Sequence, residues 1–159
     1  MKSMLRSAFL GLALAVLAVG AAAQATKNTE LGTWKLNLEK SKYNPGPPPK
    51  SVTLTMEAAG NGVKFSSKGV NAEGKDTATS YTANYDGKDV PLTGAELSNT
   101  TSLRRVDSHT VERINKKDGK VTQTIRRVYA KDGKSFTVTT KGTNTKGEAV
   151  NNTQVYDRM

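Results

Sequence analysis

The feature that most constrains the fold is an alternation of apolar and polar residues that starts at the only tryptophan. Between Gly32 and Leu38, the apolar side chains of Trp34, Leu36 and Leu38 occupy every second position. A period of two residues is typical of a strand with one buried face, because successive side chains point to opposite sides of a sheet. We therefore expect a first strand whose Trp34, Leu36 and Leu38 face the core.

Short runs of the same kind continue to the C terminus. They cover residues 51–57, 63–70, 77–85, 90–93, 99–106, 110–116, 121–130, 134–143 and 150–157. Asp-Gly-Lys turns at 86–88, 118–120 and 132–134 supply the positive φ of tight turns, so each predicts a hairpin. No window beyond residue 25 has a helical period. The pattern predicts an all-β fold, a single antiparallel up-and-down meander barrel of about eight to ten strands with no helical lid.

One connection is unusually long and rich in proline. Residues Glu39–Lys50 contain Pro45 and the run Pro47–Pro49, which exclude both a helix and a sheet ladder. We expect a stiff surface loop that could lie across an open end of the barrel.

The N terminus has the composition of a secretory signal. Lys2 and Arg6 precede an apolar block from Ala8 to Val19, and small residues end at Ala25. We expect residues 1–25 to be a cleaved signal peptide and residues 26–159 to form one β-barrel domain in the periplasm or outside the cell. The alternative, an uncleaved anchor, would need an apolar run of about 20 residues. The chain has no cysteine, so neither a disulfide nor a lipid-modified cysteine is expected.

The chain is strongly basic, with a formal net charge of +10. Lysines fall mostly on turns, at Lys75, Lys88, Lys120, Lys134 and Lys146. This pattern is typical of solvated loop tips, but it also fits attraction to an anionic envelope surface.

Several short elements resemble a known superfamily. Gly32-x-Trp34, the run of short antiparallel strands, Arg127-Val128-Tyr129 and Val155-Tyr156-Asp157 together resemble the lipocalin and fatty-acid-binding proteins, or calycins. The chain is most similar to small exported lipocalin-like proteins of bacteria. The resemblance implies a barrel that holds a small apolar or amphiphilic molecule.

The resemblance also implies that Trp34 packs near the closed end of the barrel under a late arginine. Arg158, Arg126 or Arg127 could provide it, and Gly32, Trp34 and Arg158 are the residues we assign to a structural base. Fatty-acid-binding proteins carry two helices where this chain has the proline-rich loop.

The later strands carry arginines at alternate positions. Arg105, Arg113 and Arg127 share one face with apolar residues, and a buried arginine needs an anionic or polar partner. These arginines therefore either face solvent or line a wet cavity for an anionic group; in the opposite register Arg126 points inward instead. The candidate ligand-binding residues are Tyr81, Tyr85, Leu103, Arg105, Arg113, Arg127, Tyr129 and Tyr156.

Signals for other functions are weak. The single histidine, His109, follows Asp107 and Ser108 on a turn, where triad geometry is uncommon. We expect no catalytic residue, no metal and no cofactor. The only candidates for a nucleic-acid surface are Arg104, Arg105, Arg126, Arg127 and Tyr129, and the predicted export argues against such a partner.

We expect a monomeric, non-enzymatic binding protein for a small hydrophobic or amphiphilic, anionic ligand, with no stable membrane span. The alternative is a non-enzymatic envelope or interaction module with a basic surface and a filled barrel. A hydrolase or isomerase working through His109 is a third, weaker hypothesis.

Overall fold

The computed structural model describes residues 29–159, so the predicted signal peptide lies outside the described residues. This part of the chain consists of strands, turns and loops, and it contains no helix long and apolar enough to cross a membrane. The strands are β1 Gly32–Lys42, β2 Ser51–Ala59, β3 Gly62–Val70, β4 Asp76–Asn84, β5 Val90–Pro91, β6 Thr100–Arg105, β7 Thr110–Lys117, β8 Lys120–Tyr129, β9 Ser135–Thr143 and β10 Ala149–Arg158. The all-β prediction is confirmed.

The ten strands form one antiparallel sheet in the order β4-β3-β2-β1-β10-β9-β8-β7-β6-β5. Strand β1 pairs with β2 on one side and with β10 on the other, which joins the two ends of the described chain. All other ladders connect strands that are neighbours in sequence. The sheet is therefore a meander curved into a nearly closed barrel, as the sequence predicts.

The remaining seam lies between β4 and the β5–β6 region. Ser80 and Thr93 exchange two backbone hydrogen bonds of 3.0 Å, and Asp86 forms a second bridge with Arg104. Gly94 lies at this seam with a φ of +79°, where a side chain would collide with the carbonyl oxygen of Ala78. The seam is thus held by a few bridges rather than by a continuous ladder.

The first strand differs from its prediction beyond Asn37. Trp34 and Leu36 are buried, but Leu38 is 41% exposed, so its predicted inward orientation is wrong. The register of β1 against β10 shifts between Asn37 and Lys42, and the pairing of β1 with β2 ends at Lys35. This irregularity turns Leu38 outward and lets β1 run to Lys42, so the loop is shorter than predicted.

The proline-rich loop is attached to β10. The backbone N–H of Asn151 donates to the carbonyl of Asn44 at 2.7 Å, and the Gln154 amide donates to the Tyr43 hydroxyl at 3.0 Å. By register, these contacts lie at the end of the barrel opposite Trp34.

Two of the three Asp-Gly-Lys turns join neighbouring strands. Asp118 and Gly119 have φ values of +50° and +80° and connect β7 to β8, and Gly133 lies between β8 and β9. The hairpin predicted at 86–88 is wrong, because β4 and β5 are opposite edges of the sheet. There the Gly87 N–H donates to the carbonyl of Leu103 at 2.8 Å, so the turn helps to close the seam.

Candidate functional site

Two arginine side chains lie inside the barrel. Arg113 on β7 is 7% exposed and Arg127 on β8 is 2% exposed. The strands are neighbours, with Arg113 opposite Ile125 and Val111 opposite Arg127, so both arginines share the inner face. The residues around these two guanidinium groups are called the arginine chamber below.

Arg113 is held by polar side chains and aromatic rings. Its Nε donates to Asn115 Oδ1 at 2.9 Å and to Thr101 Oγ1 at 3.1 Å. Its guanidinium lies 4.6 Å from the centroid of the Tyr81 ring, within the range of a cation–π contact. Burial, together with the nearby charge of Arg127, lowers the pKa of Arg113 to about 10. At neutral pH the group is still positively charged.

Arg127 is less well satisfied. Its Nη2 donates to the Tyr81 hydroxyl at 3.1 Å, and its guanidinium lies 4.9 Å from the Phe65 ring centroid. Nη1 is buried and has no hydrogen-bond partner among residues 29–159. Burial disfavours the charge of Arg127, and the interactions that favour it come mainly from the Tyr81 and Tyr129 hydroxyl groups, with a smaller contribution from the Glu30 carboxylate.

No carboxylate among residues 29–159 forms an ion pair with Arg113 or Arg127. The ion pairs between described residues involve other side chains, such as the surface pair of Arg126 with Glu112 at 2.9 Å. An unpaired buried charge is costly in a low-dielectric interior. The chamber therefore has the electrostatic character of an anion site.

A cavity of about 140 Å³ adjoins both guanidinium groups. Its apolar walls are Leu54, Phe65, Ile125 and Val138, and its polar walls are Ser67, Thr79, Thr140, Gln154 and Tyr156. Burial raises the pKa of Tyr156 above its usual value, so its hydroxyl stays neutral near pH 7. The cavity thus combines two cations with neutral donors and a short apolar surface.

A neighbouring part of the barrel interior is packed solidly around Trp34, whose cross-strand partner Leu54 lines the cavity. The Trp34 ring is fully buried, with Phe136 edge-on at 4.8 Å between centroids, and its Nε1 donates to the Glu30 carbonyl at 3.0 Å. The guanidinium of Arg158 lies 4.0 Å from the Trp34 ring centroid. Of the three arginines that could cover Trp34, the structure places Arg158 there.

Arg158 also fixes the start of the described chain. Its three nitrogens donate to the carbonyls of Thr29, Leu31 and Gly133, each at 2.6 Å. At Gly32, with a φ of +129°, an added Cβ would lie 2.5 Å from Arg158 Nη1. Trp34, Arg158, Gly32 and their contacts form a closed end, which we call the base.

A second charged cluster lies beside the base. The carboxylate of Glu30 is almost fully buried and pairs with Arg105, whose guanidinium lies 4.2 Å from the Tyr85 ring centroid. Burial and the adjacent Glu30 raise the pKa of Tyr85 above its usual value. Because Arg105 already has a carboxylate partner, it is not available for a ligand in the way that Arg127 is.

The predicted ligand-binding residues therefore fall into two groups. Arg113, Arg127 and Tyr156 line the cavity, and Tyr81 contacts both arginines. Those outside the cavity lining are Tyr85, Leu103, Arg105 and Tyr129. Tyr129 packs instead against Phe136, with 4.9 Å between ring centroids, and its hydroxyl donates to Met56 Sδ at 3.5 Å.

Sequence reasoning missed two kinds of residue. Thr101 and Asn115 orient Arg113. The only sequence signal that they face inward is that they alternate with outward-facing residues on β6 and β7. Glu30 precedes the first strand and lacks any periodic signal, although it balances Arg105.

His109 lies on an exposed turn away from the cavity. Ser108 Oγ lies 2.8 Å from its Nδ1, but Asp107 accepts from the backbone N–H of His109 rather than from the ring. This arrangement stabilises the turn and does not form a relay from acid to imidazole to hydroxyl. Among residues 29–159, no cluster of three or more acidic or histidine side chains could hold a metal.

A larger groove of about 700 Å³ lies on the outer face of β2–β4. It is lined mainly by exposed or half-buried small and hydroxyl side chains, such as Thr53, Thr55 and Ser66, with Lys68 and Asp76 at its margin. It contains no buried charge that needs a partner. The smaller inner cavity is the stronger candidate for a specific site.

The sequence matches no protein-family model, and no curated protein matches it as a relative. Solved structures do match by shape. One is the zebrafish ileal bile acid-binding protein in complex with cholic acid, which aligns with a TM-score of 0.50 and 11% identity over 82% of this chain and 99% of that one. The chain has a calycin-type fold. The resemblance to lipocalin and fatty-acid-binding proteins is thus confirmed at the level of fold.

Within this calycin-type barrel, the position occupied by two helices in fatty-acid-binding proteins holds the proline-rich loop. Its Tyr43 packs against the core and accepts a hydrogen bond from Gln154, a residue of the cavity wall. Burial raises the pKa of Tyr43 above its usual value.

Proposed function

We propose that this protein is an exported binding protein for a small amphiphilic anion, held inside the barrel with its charged group on Arg113 and Arg127. The observation that carries the proposal is the pair of buried guanidinium groups with no carboxylate partner among the described residues. A bound anion would turn this unfavourable arrangement into a charge-paired one.

The fold supports the same function. The zebrafish protein of similar fold was crystallised with cholic acid, an amphiphilic acid. Small-molecule sites generally combine apolar walls with a few convergent polar groups, and the arginine chamber has both. We infer that the calycin-type barrel of this chain serves ligand binding rather than catalysis.

Export is the second part of the proposal. The basic, apolar and small-residue segments of residues 1–25 support it. Mass spectrometry of the protein from its native host should give a mature chain that starts near Thr26. A full-length mass from a washed cytoplasmic fraction would contradict export without affecting the binding proposal.

Neighbouring arginines on β8 give a matched test of binding. Arg127 is 2% exposed and Arg126 points outward to Glu112, so Arg127→Gln and Arg126→Gln remove the same charge on opposite faces. We expect calorimetric titration with an amphiphilic carboxylate to show saturable binding to the wild type and the Arg126→Gln variant. Arg127→Gln should weaken that binding by about 10- to 100-fold, the loss expected for a charge-assisted hydrogen bond.

Two outcomes would contradict the proposal. One is equal affinity of both variants for the acid, and the other is equal affinity of the wild type for the acid and for its neutral alcohol. A thermal melt of each variant shows whether lost binding reflects lost folding.

A filled barrel with a basic outer surface is a second candidate function. It is favoured by the small size of the inner cavity and by the +10 net charge. We propose that such a protein would bind anionic envelope polymers, with retention that falls steeply as salt rises. Salt-independent retention on an anionic matrix would contradict this candidate.

A further inference from the structure

The volume of the arginine chamber limits what it can hold. The cavity measures about 140 Å³, whereas pockets for drug-sized ligands are roughly 300–1,000 Å³. A cavity of about 150 Å³ lined by aliphatic side chains is known to accommodate benzene. The space beside Arg113 and Arg127 therefore suits about six non-hydrogen atoms, far fewer than a long-chain fatty acid or a bile acid.

The chamber has one buried donor nitrogen without a partner. Arg113 shares its charge with the Tyr81 ring and uses its Nε on Thr101 and Asn115. Arg127 Nη1 has no acceptor among residues 29–159. A single carboxylate beside the two guanidinium groups would supply the missing counter-charge, because carboxylate oxygens form short charge-assisted bonds with guanidinium groups.

Part of the cavity wall is apolar. Leu54, Ile125 and Val138 are each at most 7% exposed, and Ile125 and Val138 are the cross-strand neighbours of Arg113 and Arg127. A short alkyl or small aromatic group packed against these side chains, next to the two guanidinium groups, would be favourable, at about 0.8 kcal/mol for each buried CH₂.

We propose that the arginine chamber selects short-chain monocarboxylates of about four to eight non-hydrogen atoms. The carboxylate pairs with the guanidinium groups of Arg113 and Arg127, and the short tail contacts Leu54, Ile125 and Val138. This inference rests on the proposed function, since it names the ligand class of the same site.

A chain-length series tests the size limit directly. Acetate, butyrate, hexanoate, octanoate and palmitate are titrated calorimetrically into the full folded protein, with butanol as the neutral match for butyrate. We expect affinity to rise from acetate to a maximum at butyrate or hexanoate and to fall at least ~10-fold by palmitate. Butanol should bind at least ~10-fold more weakly than butyrate.

A pair of valine variants tests whether the aliphatic wall sets the limit. Val138 lines the cavity and Val63 does not, although both are buried, at 5% and 0% exposure. Val138→Ala should move the affinity maximum toward longer acids, and Val63→Ala should leave it unchanged. Both variants remove the same two methyl groups, so a general loss of packing would affect them alike.

The outcomes separate this inference from the proposed function. Palmitate binding more tightly than butyrate, with Arg127→Gln weakening it, would overturn the size limit and leave anion binding in place. An unchanged maximum in Val138→Ala would also overturn it. If no acid of the series binds and Arg127→Gln melts like the wild type in their presence, both proposals fail.

Discussion

Two arginines of this protein, Arg158 and Arg127, occupy opposite electrostatic situations within the same barrel. Arg158 covers Trp34, and its three side-chain nitrogens donate to three backbone carbonyls at the base. Arg127 is more deeply buried, but it donates to one neutral hydroxyl and keeps a nitrogen without a partner among the described residues. At the base, Arg158 uses its hydrogen-bond donors to hold the backbone, whereas in the chamber Arg127 uses only part of its hydrogen-bonding capacity.

If the chamber binds an anion as proposed, this difference separates a stabilising region of the barrel from a binding one. Unpaired buried charge destabilises a fold, and proteins commonly accept such strain where they bind ligands. Substitutions at the base should therefore lower stability, whereas removal of the Arg127 charge should raise stability and weaken the proposed anion binding.

The largest effect is expected at the base. Trp34→Ala should lower the free energy of unfolding by about 3–5 kcal/mol, because it removes a fully buried indole from an aromatic cluster. Ile125→Val in the chamber wall should lower it by only about 0.5–1.5 kcal/mol. Urea unfolding, monitored by circular dichroism, measures the free energy of unfolding of both variants. Equal losses would contradict the view that the base contributes more stability than the chamber.

The next prediction compares the two arginines themselves. Arg127→Met should raise the free energy of unfolding of the ligand-free protein by about 1–4 kcal/mol, since an apolar side chain of similar length replaces an unpaired buried cation. Arg158→Met should lower it by about 1–2 kcal/mol, because partly exposed carbonyls lose charge-assisted donors. Changes of opposite sign in the free energy of unfolding would support a structural role for Arg158 and a different one for Arg127. A loss of stability in both variants would show that Arg127 is structural as well.

The sequence predicts most of the fold because hydrophobic alternation is a local signal. It fails where a local pattern does not determine pairing. The irregularity after Asn37 turns Leu38 outward. The Asp-Gly-Lys turn at Asp86 has the same sequence as the two turns that form hairpins, but it lies at the seam of the barrel.

The candidate site is less predictable from sequence. The alternation on β7 and β8 is compatible with two registers, one with Arg113 and Arg127 inside the barrel and one with them outside. The pairing between strands decides that they face inward. The partners of each arginine come from distant strands, as Arg127 with Tyr81 and Arg105 with Glu30 show. Cavity volume depends on how all these side chains pack, and no single stretch of sequence contains that information.

A glycine at the base gives a smaller effect of the same kind. Gly32 has a φ of +129°, and an added Cβ would displace the end of Arg158. Gly32→Ala should lower the free energy of unfolding by about 1–3 kcal/mol through backbone strain. Gly46, with open space around it and no positive φ, is the matched control, and Gly46→Ala should change stability by less than ~0.5 kcal/mol.

The last and smallest difference should appear at alkaline pH, in one tyrosine of the base and one of the chamber, both of which pack against Phe136. Burial raises the pKa of Tyr129 near the base and of Tyr156 in the chamber above the ordinary value of 10.0. Above pH 10 the unfolded chain loses these protons and the folded one keeps them, so stability falls with rising pH by up to ~1.4 kcal/mol per pH unit and tyrosine. This stability is fully present below pH 10.

Replacing either tyrosine with phenylalanine should make that fall less steep, as measured by urea unfolding between pH 9 and 11. Tyr129 is enclosed by Trp34 and Phe136, whereas Tyr156 borders the cavity. If water fills the chamber, Tyr156 ionises more readily than Tyr129, and Tyr156→Phe changes the slope less than Tyr129→Phe. Equal changes would mean that the chamber is as dry as the base.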